Sequence, residues 1–86
     1  MKDKCVLVTG SSSGIGYEIT TKLLDLGAKV IGISRNHDRV NLENKNYIKY
    51  NCDISINKKL EILLKQILKN HPEINCLISN AGYGDF

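Results

Sequence analysis

The apolar positions change period several times along the chain. Lys4 to Thr9 is a short, β-branched run suited to a buried strand. From Ile15 the spacing becomes helical: Ile15, Ile19, Leu23 and Leu26 fall on one face, and Gly27 stops the helix as a left-handed cap would. Lys29 to Ser34, KVIGIS, reads as a second strand. The polar stretch that follows holds at most a short helix around Asp38 to Glu43. Tyr47 to Ile54 reads as a third strand. Ser55 or Asn57 is placed to cap a helix whose stripe is Leu60, Leu63, Leu64, Ile67 and Leu68, ending near Asn70. Pro72 stops it, and Ile74 to Ser79 forms a fourth strand opening onto Asn80-Ala81-Gly82.

Strands alternating with helices imply right-handed crossovers and a parallel sheet covered on both faces. The expected architecture is one half of a doubly wound α/β domain, with four strands in the order 3-2-1-4 and about three helices. There is no internal repeat and no linker.

Composition narrows this little. Hydrophobic residues make up 42% and charged residues 24%, which suffices for a core and excludes general disorder. The net charge of +3 comes from lysines scattered between Lys2 and Lys69 with acids interspersed, a solvated surface rather than a nucleic-acid groove. No apolar run approaches membrane-spanning length and MKDKCVLVTG lacks a signal peptide's apolar stretch, so no membrane is expected and the chain is assigned to the cytoplasm. Cys5, Cys52 and Cys76 are odd in number, without CxxC or a nearby histidine pair, which argues against disulfides and metal. All three fall in the expected strands, as small buried hydrophobes. His37 and His71 fall in polar surroundings and are expected to be solvated.

The chemistry concentrates in VLVTGSSSGIGYEI, residues 6 to 19. Gly10, Gly14 and Gly16 lie between a strand and a helix, where glycines permit a tight turn and a close approach by pyrophosphate. The helix start offers unpaired N–H groups and partial positive charge to an anion. Gly16 suits close packing of helix on sheet. The same residues satisfy G-x-S-x-G, a hydrolase nucleophile elbow centred on Ser12. That fold takes an oxyanion donor from a loop after an earlier strand, and only nine residues precede Gly10. A Walker loop needs lysine after its last glycine, but Tyr17 and Glu18 follow Gly16. Ser12 is therefore read as a phosphate-loop hydroxyl.

At the end of the second strand a dinucleotide fold meets the adenosine ribose, and an acidic residue there would suit NAD. Here Ser34-Arg35 stands instead, and a guanidinium fork grips a 2′-phosphate, which favours NADP over NAD.

With Thr9-Gly10-x-x-x-Gly14-Ile15-Gly16, Asp53 after the third strand and Asn80-Ala81-Gly82 after the fourth, the chain resembles the short-chain dehydrogenase/reductase family over nearly its whole length. The resemblance implies a Rossmann fold whose Gly10, Ser12, Ser13, Gly14, Ile15 and Gly16 surround the cofactor phosphates. Arg35, next to Ser34, would select the 2′-phosphate. Asp53 would accept from the adenine amino group with Ile54 beside the ring, and Asn80, Ala81 and Gly82 would pass the ribose. Ser79 stands where many members carry asparagine, and Ser13 where a basic residue is often found, so the NADP reading rests on Arg35.

The family's acid/base pair, Tyr-x-x-x-Lys, is not among these residues: four positions after Tyr17 stands Thr21, after Tyr47 Asn51 and after Tyr50 Ile54, and Tyr83 lies three residues from the last, Phe86. No catalytic residue is therefore assigned. Residues 1–86 are expected to be the N-terminal part of one NAD(P)-binding domain, with the catalytic half in a longer, homo-oligomeric parent. That parent would be an NADP-dependent oxidoreductase acting on a small carbonyl or alcohol substrate. The alternatives are a non-catalytic dinucleotide-binding sensor or interaction module, and an inactive gene product.

Overall fold

The computed structural model describes residues 3–10, 14–34, 44–52 and 57–79. Its first strand, β1 (Cys5–Thr9), is buried along its whole length, because it lies inside the sheet with both faces covered. β2 (Lys29–Ser34) and the edge strand β3 (Tyr47–Asn51) follow on one side, and β4 (Cys76–Ser79) lies on the other. All pairings are parallel and the order is β3-β2-β1-β4, as expected.

Alternation along the strands sorts the core into two layers. Val6, Val8, Val30 and Tyr47 face the first helix, α1 (Gly14–Asp25), and meet its Leu24. Cys5, Leu7, Ile31 and Ile33 face α2 (Asn57–Asn70) and meet its Ile67. α1 ends in a left-handed cap: Gly27 has φ 88°, its N–H bonds Leu24 O at 3.0 Å, and Ala28 N–H bonds Leu23 O at 3.0 Å.

The buried face of α1 differs from the expected stripe. Gly16, Thr20 and Leu24 are buried, with Tyr17 and Leu23 packed beside them, while Ile15 is 67% exposed and Leu26 59%. Small residues at 16 and 20 allow the helix to sit close to the sheet, which turns the larger Ile15 outward. In α2 the stripe holds for Leu60, Leu63, Leu64 and Ile67, but Leu68 is exposed.

Both edge strands are shorter than their apolar runs. β3 ends at Asn51, although Cys52 N–H still bonds Ser34 O at 2.8 Å. Ile74 belongs to the turn before β4, its N–H bonding His71 O at 3.2 Å, while Asn75 N–H already bonds Cys5 O at 3.0 Å. The expected helix around Asp38 to Glu43 lies outside the described residues, among which there are two helices.

Two expectations need correction. Cys76 is exposed, not buried, because β4 has no neighbour beyond it among the described residues. Cys5 is buried, and Cys52, just past β3, is half-buried. His71 is not solvated either: only 14% of its side chain is exposed and it is hydrogen-bonded to Tyr50. His37 lies outside the described residues. Among the described residues no helix is long and apolar enough to cross a membrane, and no cluster of three or more His, Cys, Asp or Glu could hold a metal ion.

Candidate functional site: the carboxyl edge of the sheet

Four parallel strands deliver their carboxyl ends to one edge. At the centre β1 runs into Gly10, whose φ is 73° and whose N–H bonds Ile33 O at 2.7 Å. This bond carries the β1–β2 ladder one residue past Thr9 and fixes where the turn begins. Beside it β2 ends at Ser34, which is buried and paired with Asn51 of β3. On the other side Thr9 pairs with Ser79, the last residue of β4.

α1 starts at this edge with Gly14-Ile15-Gly16. Gly14 has φ 55°, a conformation that side-chain-bearing residues adopt at a cost, and a Cβ built there meets no atom of the described residues beyond its neighbours within 4 Å. Gly14 and Ile15 are exposed and Gly16 is buried. Gly16 thus packs the helix on the sheet, while Gly14 leaves its outer side open. No acidic residue occupies the first turn, so no side chain of that turn offsets the positive end of the helix dipole. An exposed, glycine-lined helix start at the carboxyl edge of a parallel sheet has, among the described residues, the charge and the room to receive an anion such as a pyrophosphate.

Of the thirteen sequence-predicted site residues, Gly10, Gly14, Ile15, Gly16 and Ser34 are described, and all five lie at this edge. Ser12, Ser13, Arg35, Asp53, Ile54, Asn80, Ala81 and Gly82 lie outside the described residues. In sequence each follows within a few positions of a strand that ends here: β1, β2, β3 or β4.

Perturbed ionisation occurs at the opposite edge. Glu73 is held down to about 2, chiefly by its hydrogen bond from Lys29, and Lys29 is raised chiefly by the same bond. Burial pushes the Cys5 thiol up. Sequence reading missed this cluster, since Lys29 and Tyr50 lie far in the chain from each other and from His71 and Glu73, and the four share no spacing pattern.

Comparison with known proteins agrees with the geometry. The family model for short chain dehydrogenase matches residues 4–86. An uncharacterized oxidoreductase of Bacillus subtilis, DltE, is 36% identical over 85 residues, covering 95% of this chain and 34% of that protein. A short chain dehydrogenase from Leptospira borgpetersenii, solved with bound NAD+, superposes with a TM-score of 0.80 at 25% identity, covering 92% of this chain and 31% of that one. A tyrosine-to-phenylalanine variant of ElxO with NADPH bound gives a TM-score of 0.78 at 26% identity, over 95% of this chain and 36% of that one. The chain spans about a third of the length of the curated relatives it matches. With the 3-2-1-4 sheet and the glycine turn at its carboxyl edge, this places the chain in the short chain dehydrogenase family of oxidoreductases.

Proposed function

We propose that these 86 residues are the cofactor-binding portion of an NADP-dependent oxidoreductase that moves a hydride between a nicotinamide and a small carbonyl or alcohol substrate. The observation that carries the proposal is the open, uncharged start of α1 at Gly14, beside the ends of β1 and β2. Backbone N–H groups of Gly14, Ile15 and Gly16 would bind the pyrophosphate, with Ser12 and Ser13 supplying hydroxyls. Ser34 ends the strand from which Arg35 would reach a 2′-phosphate. Asp53 and Ile54 would hold the adenine, and Asn80, Ala81 and Gly82 would brace the sheet and pass the ribose. When bound, the nicotinamide supplies the hydride chemistry. The acid/base group would come from residues other than these, in a cytoplasmic, homo-oligomeric protein.

Relatives solved with NAD+ and with NADPH leave both cofactors open to the family, so the preference rests on Arg35. A hydrogen bond to a charged group is worth about 1.5–3 kcal/mol, or roughly tenfold to over a hundredfold in affinity. Arg35→Ala should weaken NADPH binding by that factor and leave NADH nearly unchanged. Equal losses for both would refute the 2′-phosphate role. Binding of either cofactor without turnover in any longer form of the protein would favour the sensor or interaction module.

A further inference from the structure

Residues 71–75, which join α2 to β4, have partners on three strands and lead directly into the fourth. His71 Nε2 lies 3.1 Å from Tyr50 Oη on the edge strand β3, and the two rings meet edge to face. Glu73 Oε2 accepts a 2.7 Å hydrogen bond from Lys29 Nζ at the start of β2, and lies 3.5 Å from His71 Nδ1. Asn75 makes three bonds at the entrance to β1: Cys5 N–H donates to its Oδ1 at 3.1 Å, its own N–H donates to Cys5 O at 3.0 Å, and its Nδ2 donates to Asp3 O at 3.3 Å.

The chemistry of these groups orders them. A carboxylate only accepts, so Nδ1 of a neutral His71 carries the proton toward Glu73, and Nε2 accepts from the Tyr50 hydroxyl. Tyr50, His71, Glu73 and Lys29 then form a continuous chain from β3 to β2, with each member orienting the next. Its position matters because β4 is the strand with least support. It has four residues and, among the described residues, one neighbouring strand, and Leu77 is 62% exposed.

We propose that residues 71–75 act as a polar latch for β4. By joining the starts of β2 and β1 at the amino edge of the sheet to the Tyr50 side chain, which comes from the penultimate residue of β3, the latch holds the strand from whose other end Asn80-Ala81-Gly82 continue. Tyr50, His71, Glu73 and Lys29 work as one unit in it, and β4 opens first when any member is lost. The proposal depends on the fold alone and survives if the cofactor reading fails.

The test is amide hydrogen exchange on the 86-residue chain, wild type, Tyr50→Phe, Glu73→Gln and the double variant. Tyr50→Phe removes one oxygen from a half-buried ring. Each single variant should speed exchange in β4 by about fivefold or more relative to β1 and β2, as sub-global opening does. The double variant should exchange no faster than the quicker single one. Uniform acceleration across the sheet, no acceleration, or multiplied effects in the double variant would each overturn the latch. The wild type gives a second reading that needs no substitution. Sodium chloride at about 1 M screens the exposed Lys29–Glu73 pair and should speed β4 selectively, and unchanged β4 exchange counts against the proposal.

Discussion

Gly14→Ala separates what the glycine does for the chain from what it does for a ligand. The added Cβ meets no atom of the described residues within 4 Å, so the variant carries no steric clash among them. What remains is backbone strain, because φ is 55° and a left-handed conformation costs an L-residue about 1–2 kcal/mol. For a domain of this size each kcal/mol lowers Tm by about 4–8 °C, which gives an expected drop of about 4–16 °C. The methyl group also sits on the outer side of the helix start, where a phosphate would approach. Loss of one hydrogen bond to a charged group there would reduce dinucleotide affinity roughly tenfold to a hundredfold. Thermal unfolding without ligand and equilibrium titration with NADPH read the two effects separately. Unchanged affinity at temperatures where the variant is folded would refute the approach of the phosphate at Gly14. An unchanged Tm would refute the left-handed backbone.

Three further outcomes follow from the same structure. Thr20 is fully buried in α1 and its hydroxyl has no partner among the described residues, whereas Thr21 Oγ1 donates to Tyr17 O at 2.9 Å; Thr20→Val should therefore stabilise the chain by about 1–3 kcal/mol in urea unfolding, and a lower midpoint would show that the hydroxyl is satisfied. Glu73 titrates near 2 when folded against a usual 4.5, so its contribution is present above about pH 4.5 and is lost as pH falls toward 2; the acid limb of the stability curve should be shallower in Glu73→Gln, and identical limbs would refute the depressed carboxyl. The β4 edge is uncharged and exposes Leu77, whereas the β3 edge carries an exposed Lys49; Leu77→Lys should reduce self-association in size-exclusion chromatography, and an unchanged profile would place the sticky surface elsewhere.

How much of this was legible depended on whether the deciding contact was local. β2 was readable to its ends, because KVIGIS is bounded by the Gly27 cap on one side and polar residues on the other. The sheet order followed from the alternation of strands and helices. The inward face of α1 was not readable by hydrophobicity, since Gly16 and Thr20 are buried for their size while the more apolar Ile15 points outward. His71 looked solvated because its partner, Tyr50, is 21 residues away and on another element. Cys76 looked buried because its segment is apolar, but exposure at a sheet edge depends on what lies beyond it. At the site, the glycine spacing located the helix start, but the positive φ of Gly14 and the open space beside it are tertiary facts.

The central claim is that dinucleotide phosphate meets the chain at the start of α1. The most direct measurement is a titration of the isotopically labelled 86-residue chain with NADPH, followed by amide chemical shifts, which detects affinities as weak as about 1 mM, equivalent to about −4.1 kcal/mol. The account predicts saturable shifts centred on Gly10, Gly14, Ile15, Gly16 and Ser34, with the amides of residues 71–75 unmoved. No shift at about 5 mM NADPH, or shifts centred on the amino edge at Lys29, His71 and Glu73, would contradict it.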